Sequence, residues 1–199
     1  MTIGMWLRGL VAVSALSAGA GGALAKAADD QPLPRISADK VADYLHAVIE
    51  ADRTFYTIHV VERAQSRGGP SVSEKWRTEN ALPLPAQFLM ESGALAALTG
   101  SAVRYRLVSL WPINPQNGPA TELERKGLEQ VIQHPERPAT AVVTNGGVRE
   151  FQAIYADRAV SQSCVACHNA DPRSAKNNFA LHDVMGGVVI TIPLDPSSR

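Results

Sequence analysis

The chain has 199 residues, 45% hydrophobic and 19% charged, and its 19 basic and 19 acidic side chains leave no formal net charge. This is apolar material for one ordinary domain core. It excludes a basic surface built for nucleic acid and an acidic solvating tail.

The first stretch reads as a targeting segment. Arg8 supplies a positive start, Gly9 to Ala25 lacks charge, and Ala23-Leu24-Ala25 and Ala25-Lys26-Ala27 offer small-x-small cleavage sites. Residues 1–27 are therefore expected to be a signal peptide, cleaved near Ala25–Ala27, that delivers the chain to the periplasm. A membrane anchor is the competing reading. The run is rich in Gly, Ser and Ala and marginal in length for a span, so no stable membrane span is expected after processing. Residues 28–36, with Pro32 and Pro34, read as a tether, and residues 37–199 as the folded domain.

Ser37 and Asp39 open a long helix that runs to about Gln65 and stops before Gly68-Gly69-Pro70. Val41, Leu45, Val48, Phe55 and His59 recur at helical spacing with Asp52 on the same stripe, flanked by Tyr44 and Tyr56. That stripe is expected to be the buried face, and His46, which points away from it, to be solvated. Ser71-Val72-Ser73-Glu74 has the form of a capping box opening a short helix. Ala86 to Leu98 is helix-prone, Val103 to Leu110 starts with strand alternation, and Trp111 to Pro119 is turn-rich. Thr121-Glu122-Leu123-Glu124 caps a further helix to about Gln133. Thr140–Thr144 and Val148–Tyr155 flank Asn145-Gly146-Gly147, a hairpin signal, and Gly186-Gly187 leads into a β-branched last strand ending at Pro193. A hairpin and further strands interleaved with helices predict an α+β fold with an antiparallel sheet.

Between the hairpin and the last strand lies Cys164-Val165-Ala166-Cys167-His168, which holds both cysteines of the chain. Cys-x-x-Cys-His is the attachment pattern of c-type haem. Two thiols at this spacing each form a thioether to one haem vinyl group, and the histidine that follows is placed to ligate the iron through an imidazole nitrogen. The motif predicts one covalent haem c, held by Cys164 and Cys167, with His168 as the proximal ligand. Export agrees, because bacterial attachment occurs outside the cytoplasmic membrane. A thioredoxin-like couple is the first alternative, but it expects a strand feeding the motif, and Asp157 to Ser163 is not a strongly β-branched run. A zinc site wants a second Cys/His pair, which the chain lacks. A plain structural disulfide or a chance match is the remaining alternative.

On these residues the chain resembles the bacterial single-haem c-type PAS-like sensor-domain family, long catalogued as a domain of unknown function and often fused to histidine kinases. The resemblance rests on Tyr56-Thr57 with Val60, on Asn114-Pro115-Gln116-Asn117-Gly118-Pro119 with Glu122, on Ser163 through His168, and on Phe179 to Pro193. The Asn-Pro-x-Asn stretch discriminates most, since any cytochrome c carries the haem motif. The resemblance implies a PAS-like central antiparallel sheet with a long N-terminal helix and flanking short helices, one covalent haem, and a sensory or redox role. The chain carries no kinase or other output domain, so a separate signalling or redox partner is implied. Members of the family can take the distal iron ligand from an N-terminal cysteine. Here both cysteines serve the thioethers, and the distal position falls to another residue or stays open.

His59, central on the apolar stripe, is the possible distal ligand, with a hydrogen-bonded core histidine as the competing reading. His182 and Met185 follow the motif and stand in reserve, Met185 more simply as a packing residue; His134 lies in a Pro-flanked loop. Arg104 and Arg106 share a strand face and suit haem propionates, or else form a charged solvated face. No Ser/His/Asp order, paired-carboxylate signature or phosphate loop points to an enzyme. The expected function is that of an exported monohaem redox or diatomic-gas sensor. A periplasmic single-electron carrier is the alternative, and the two differ in whether the sixth iron position is open.

Overall fold

The computed structural model describes residues 35–194. The expected signal peptide, all but the end of the tether, and residues 195–199 lie outside the described residues.

A helical rod comes first: α1 (Ala38–Phe55), a π-helical stretch (Tyr56–Glu62) and α2 (Arg63–Ser66). Its end agrees with the expected stop, and Gly68 beyond it takes a positive φ of 65° that suits glycine. Its buried face differs from the expected stripe. Ala42, Ile49, Arg53, Thr57 and Val61 are buried, whereas Tyr44, Val48, Phe55 and His59 are exposed. Two physical reasons account for the shift. Arg53 is charged, so apolar periodicity passes over it, yet it is buried because a carboxylate neutralises it from the sheet. The π-helical turns hold more residues than α-turns, so helical phase changes after Phe55.

β1 (Ser71–Val72) and β2 (Ala81–Leu82) form a short parallel pair, which corrects the helix expected at Ser71. The Ser73 hydroxyl accepts from the Lys75 N–H at 3.1 Å, closing a local turn. Glu74 is drawn instead to Arg173, at 2.7 Å. α3 (Pro85–Ala97) follows, with proline in its first turn and the Gln87 side chain accepting from the Leu84 N–H at 3.1 Å.

The sheet consists of β3 (Arg104–Val108), β4 (Ala139–Asn145), β5 (Val148–Arg158) and β6 (Val184–Pro193), in the order β3-β6-β5-β4 and antiparallel throughout. The first of these strands pairs with the last, and the others form a meander: this is the α+β, PAS-like sheet that was expected. Gly146 and Gly147, at φ 56° and 83°, close the β4–β5 hairpin as a two-residue turn.

Strand alternation sorts the core into two faces. Ala153, Tyr155, Val188 and Ile190 pack with Ala42 and Ile49 of α1 and Leu89 of α3. Ile154 and Val189 point the other way, to Leu128 and Val131 of α4 (Glu122–Gln133). β5 and β6 are thus central and covered on both sides, which is why the last strand reads as an unbroken apolar run.

Candidate functional site

The Cys-x-x-Cys-His motif lies on α5 (Gln162–Ala170). Ser161 caps this helix: its hydroxyl accepts from the Cys164 N–H at 3.4 Å and lies 3.4 Å from Cys164 Sγ. Residues three and four apart share a helix face, so Cys164, Cys167 and His168 converge on one side. Both cysteines are free thiols.

Behind them is an apolar bed. Cys164, Val165 and Trp111 pack on Phe179 and on Ala159 and Met185, which lie at the end of β5 and the start of β6. The His168 ring meets Phe179 edge-on at 6.0 Å, and Phe179 meets Trp111 in the same manner at 5.7 Å. Asn169 fixes Phe179 through both main-chain groups, donating to its carbonyl and accepting from its N–H, each at 2.9 Å. Lys176 lies over the Trp111 and Phe179 rings at 4.9 and 4.5 Å.

The electrostatics favour a neutral imidazole. Burial pushes His168 below the usual histidine range, the Arg53 cation adds to this, and Asp171 opposes it. Its Nδ1 is buried without a hydrogen-bond partner, as is Arg53 Nε, and no other buried side-chain polar atom among the described residues is left so. Arg53 is held by Asp157 at 2.6 Å. Asp157 stands at a register irregularity of β5, the kind of local distortion that re-aims a side chain. Burial pushes its carboxyl up against the opposing pull of Arg53. Cys167 is exposed, and the partial burial of its thiol together with the nearby Asp171 carboxylate pushes its pKa up.

Across from α5, the Ser163 hydroxyl donates to Glu62 of the π-helical stretch at 3.0 Å. Beside this bond lies an open groove of about 730 Å3 whose lining includes Ile58, Glu62, Arg63, Gln65, Arg67 and Ser163.

The other sequence candidates fall elsewhere. His59 is exposed and packs on Phe55 with ring centres 5.0 Å apart, so it is not at the centre of a buried face. His46, expected in solvent, is instead half-buried and stacks on Tyr155 at 4.0 Å. His134 and His182 are exposed, His182 with a φ of 70°. Met185 is a packing residue of the bed beneath Cys164. Arg104 and Arg106 are already paired, with Glu150 at 2.6 Å and Glu124 at 2.5 Å. Arg53, Asp157, Glu62, Trp111 and Asn169 were not singled out for this site by sequence reasoning. Among the described residues no group of three or more His, Cys, Asp or Glu side chains is arranged to hold a metal ion, and no helix is long and apolar enough to cross a membrane.

A dithiol–histidine helix set against the ends of the two central strands of an antiparallel sheet defines a PAS-like α+β domain that carries a Cys-x-x-Cys-His motif. The chain belongs to the Tll0287-like family, whose model matches residues 32–193. Among solved structures it is similar to that of the cyanobacterial haem protein Tll0287, at 16% identity and a TM-score of 0.47, with 80% of this chain and 98% of that chain covered. No curated protein matches the chain.

Proposed function

We propose that this is an exported, periplasmic monohaem c-type protein that senses redox state or a diatomic gas and passes its signal to a separate partner, without catalysing a reaction of its own. The observation that carries the reading is the convergence of Cys164, Cys167 and His168 on one face of α5, over an apolar bed, with a neutral imidazole whose Nδ1 has no protein partner. The donor set fits haem: two free thiols for thioethers, and a lone-pair nitrogen for iron. When bound, the haem supplies a one-electron couple and a coordination position for a small ligand. The protein's part is to hold and tune. Phe179, clamped by Asn169, fixes the plane against which His168 rests, and the Arg53–Asp157 pair sets the field around it.

The rod's buried side chains, Ala42, Ile49, Arg53, Thr57 and Val61, include no iron ligand, and His59 is exposed. The sensor reading takes the distal position as open to a small ligand, and the carrier alternative takes it as filled by a second protein ligand. Carbon monoxide tests the distinction. The reduced protein is expected to bind it rapidly with a shift of its Soret band. A low-spin spectrum unmoved by carbon monoxide would identify a carrier with two fixed ligands.

A further inference from the structure

Most of the apolar stripe of α1 faces away from the sheet. Val41, Tyr44, Val48, Ala51 and Phe55 recur at alternating steps of three and four residues, the spacing of a coiled-coil seam. Tyr44, Val48 and Phe55 are 63%, 60% and 61% exposed, and Ala51 is exposed with them. The seam ends at Phe55, where the π-helical turns bring His59 beside it. α3 widens this face. It packs on the same side of the sheet as α1 and runs antiparallel to it. Phe88 stacks on Tyr56 at 4.4 Å, and four residues on, Ser92 bonds Tyr105, whose hydroxyl also feels the Asp52 carboxylate. Continued in that direction, the exposed Leu95 and Leu98 come alongside the Val48 and Tyr44 end. Five of the nine large apolar side chains exposed among the described residues thus lie on one two-helix layer. They present roughly 600 Å2 per copy, as much as a monomer ordinarily exposes in one patch and most of the ~800 Å2 that each partner of a standard interface buries.

We propose that this face pairs with a second copy of the chain, α1 lying parallel to α1 about a two-fold axis. A seam that repeats every 3.5 residues is complementary to itself. Val41 and Val48 occupy the positions at which β-branched side chains favour two parallel strands. The flanks bring no like charges together: across a parallel seam Asp52 lies opposite the second copy's Ala47, and Lys40 opposite the second copy's Leu45. The seam is short for a free-standing coiled coil, but the sheet already holds α1 helical, so pairing carries no nucleation cost. An anionic membrane suits the face poorly. The charge at its centre, Asp52, is acidic, and Lys40 is already paired with Asp43 at 3.0 Å.

The test uses the full chain. Sedimentation equilibrium at about 1–100 µM is expected to show a dimer. Val48→Glu places a carboxylate in the seam from each copy and is expected to raise the dissociation constant about 100-fold or more, leaving a monomer with the wild-type circular dichroism. Val142→Glu, at an exposed apolar position of β4 away from the layer, leaves the dimer intact. Cross-linking reads the pairing without touching the seam's large side chains. Ala51→Cys is expected to form a disulfide between two copies on mild oxidation, the linked peptide being identified by its mass, because this position meets itself in a parallel seam. Glu50→Cys, one residue off the seam, is not. A wild-type monomer throughout that concentration range would overturn the proposal, as would a dimer unmoved by Val48→Glu or one broken equally by Val142→Glu. A dimer that Val48→Glu dissociates but Ala51→Cys does not link would overturn the parallel pairing.

Discussion

Arg53 of the rod and Asp157 of β5 form an ion pair at 2.6 Å, with 9% and 8% of their side chains exposed. It is a buried ion pair that ties the rod to the sheet, and it lies within electrostatic reach of His168. Two desolvated charges stabilise little against an apolar pair of the same shape, but removing one strands the other. Arg53→Met is therefore expected to destabilise the domain by about 3–5 kcal/mol. Arg53→Met combined with Asp157→Leu is expected to recover most of that. Chemical denaturation of the wild type, the Arg53→Met and Asp157→Leu single variants and the double variant checks this, and additive losses would contradict it.

Asn169 supplies both hydrogen bonds that pin the Phe179 main chain. Asn169→Ala leaves those buried groups unsatisfied, at a cost of about 2–3 kcal/mol. Amide exchange at Phe179 should accelerate well before that of β5 and β6. Equal acceleration throughout the sheet would mean that Asn169 supports the whole fold rather than the bed beneath His168.

Much of the fold is legible in the sequence because local chemistry agrees with the final structure. Gly146-Gly147 demands a tight turn and makes one, Thr121 caps α4 at 3.1 Å as its motif predicts, and the β-branched run after Gly187 becomes the doubly covered strand β6. Cys164, Cys167 and His168 share a helix face by spacing alone. What was not legible depends on contacts between distant segments. Arg53 is buried only because Asp157 meets it across the core. His46 is sheltered only because Tyr155 lies under it. Of the apolar stripe, Leu45 packs on the sheet's core, but Val48 and Phe55 face away from it, and no periodicity records which side the sheet will occupy.

Gly93 brings α3 close to β3: a Cβ there would stand 2.5 Å from the Tyr105 carbonyl oxygen. Backbone cannot yield as a side-chain tip does, so α3 would have to move off Leu107 and Tyr105. Gly93→Ala is expected to cost about 1–3 kcal/mol despite its gain in helix propensity. A thermal midpoint equal to or above the wild type would show that the helix shifts freely.

His46 gives the domain an acid sensitivity. Burial lowers its pKa from the ordinary 6.5, against the opposing pull of Glu50 and Asp43, while Tyr155 covers one ring face. The folded state then binds fewer protons than the unfolded state, so stability rises with pH through this range. This contribution is present above about 6.5 and lost as pH falls below it. His46→Gln should flatten the fall in melting temperature between about pH 7.5 and 5.5. An unchanged slope would assign the acid sensitivity to other groups.

The central claim is that Cys164 and Cys167 hold a haem covalently. The direct measurement is the intact mass of the chain purified from a host with a working c-type maturation system, read together with its pyridine haemochrome spectrum after denaturation. The account predicts the mass of the processed chain plus one haem, colour that survives denaturation and acid–acetone extraction, and the haemochrome of a porphyrin whose two vinyl groups have been consumed. A colourless chain at the mass of the polypeptide alone, with both thiols open to alkylation, would contradict it.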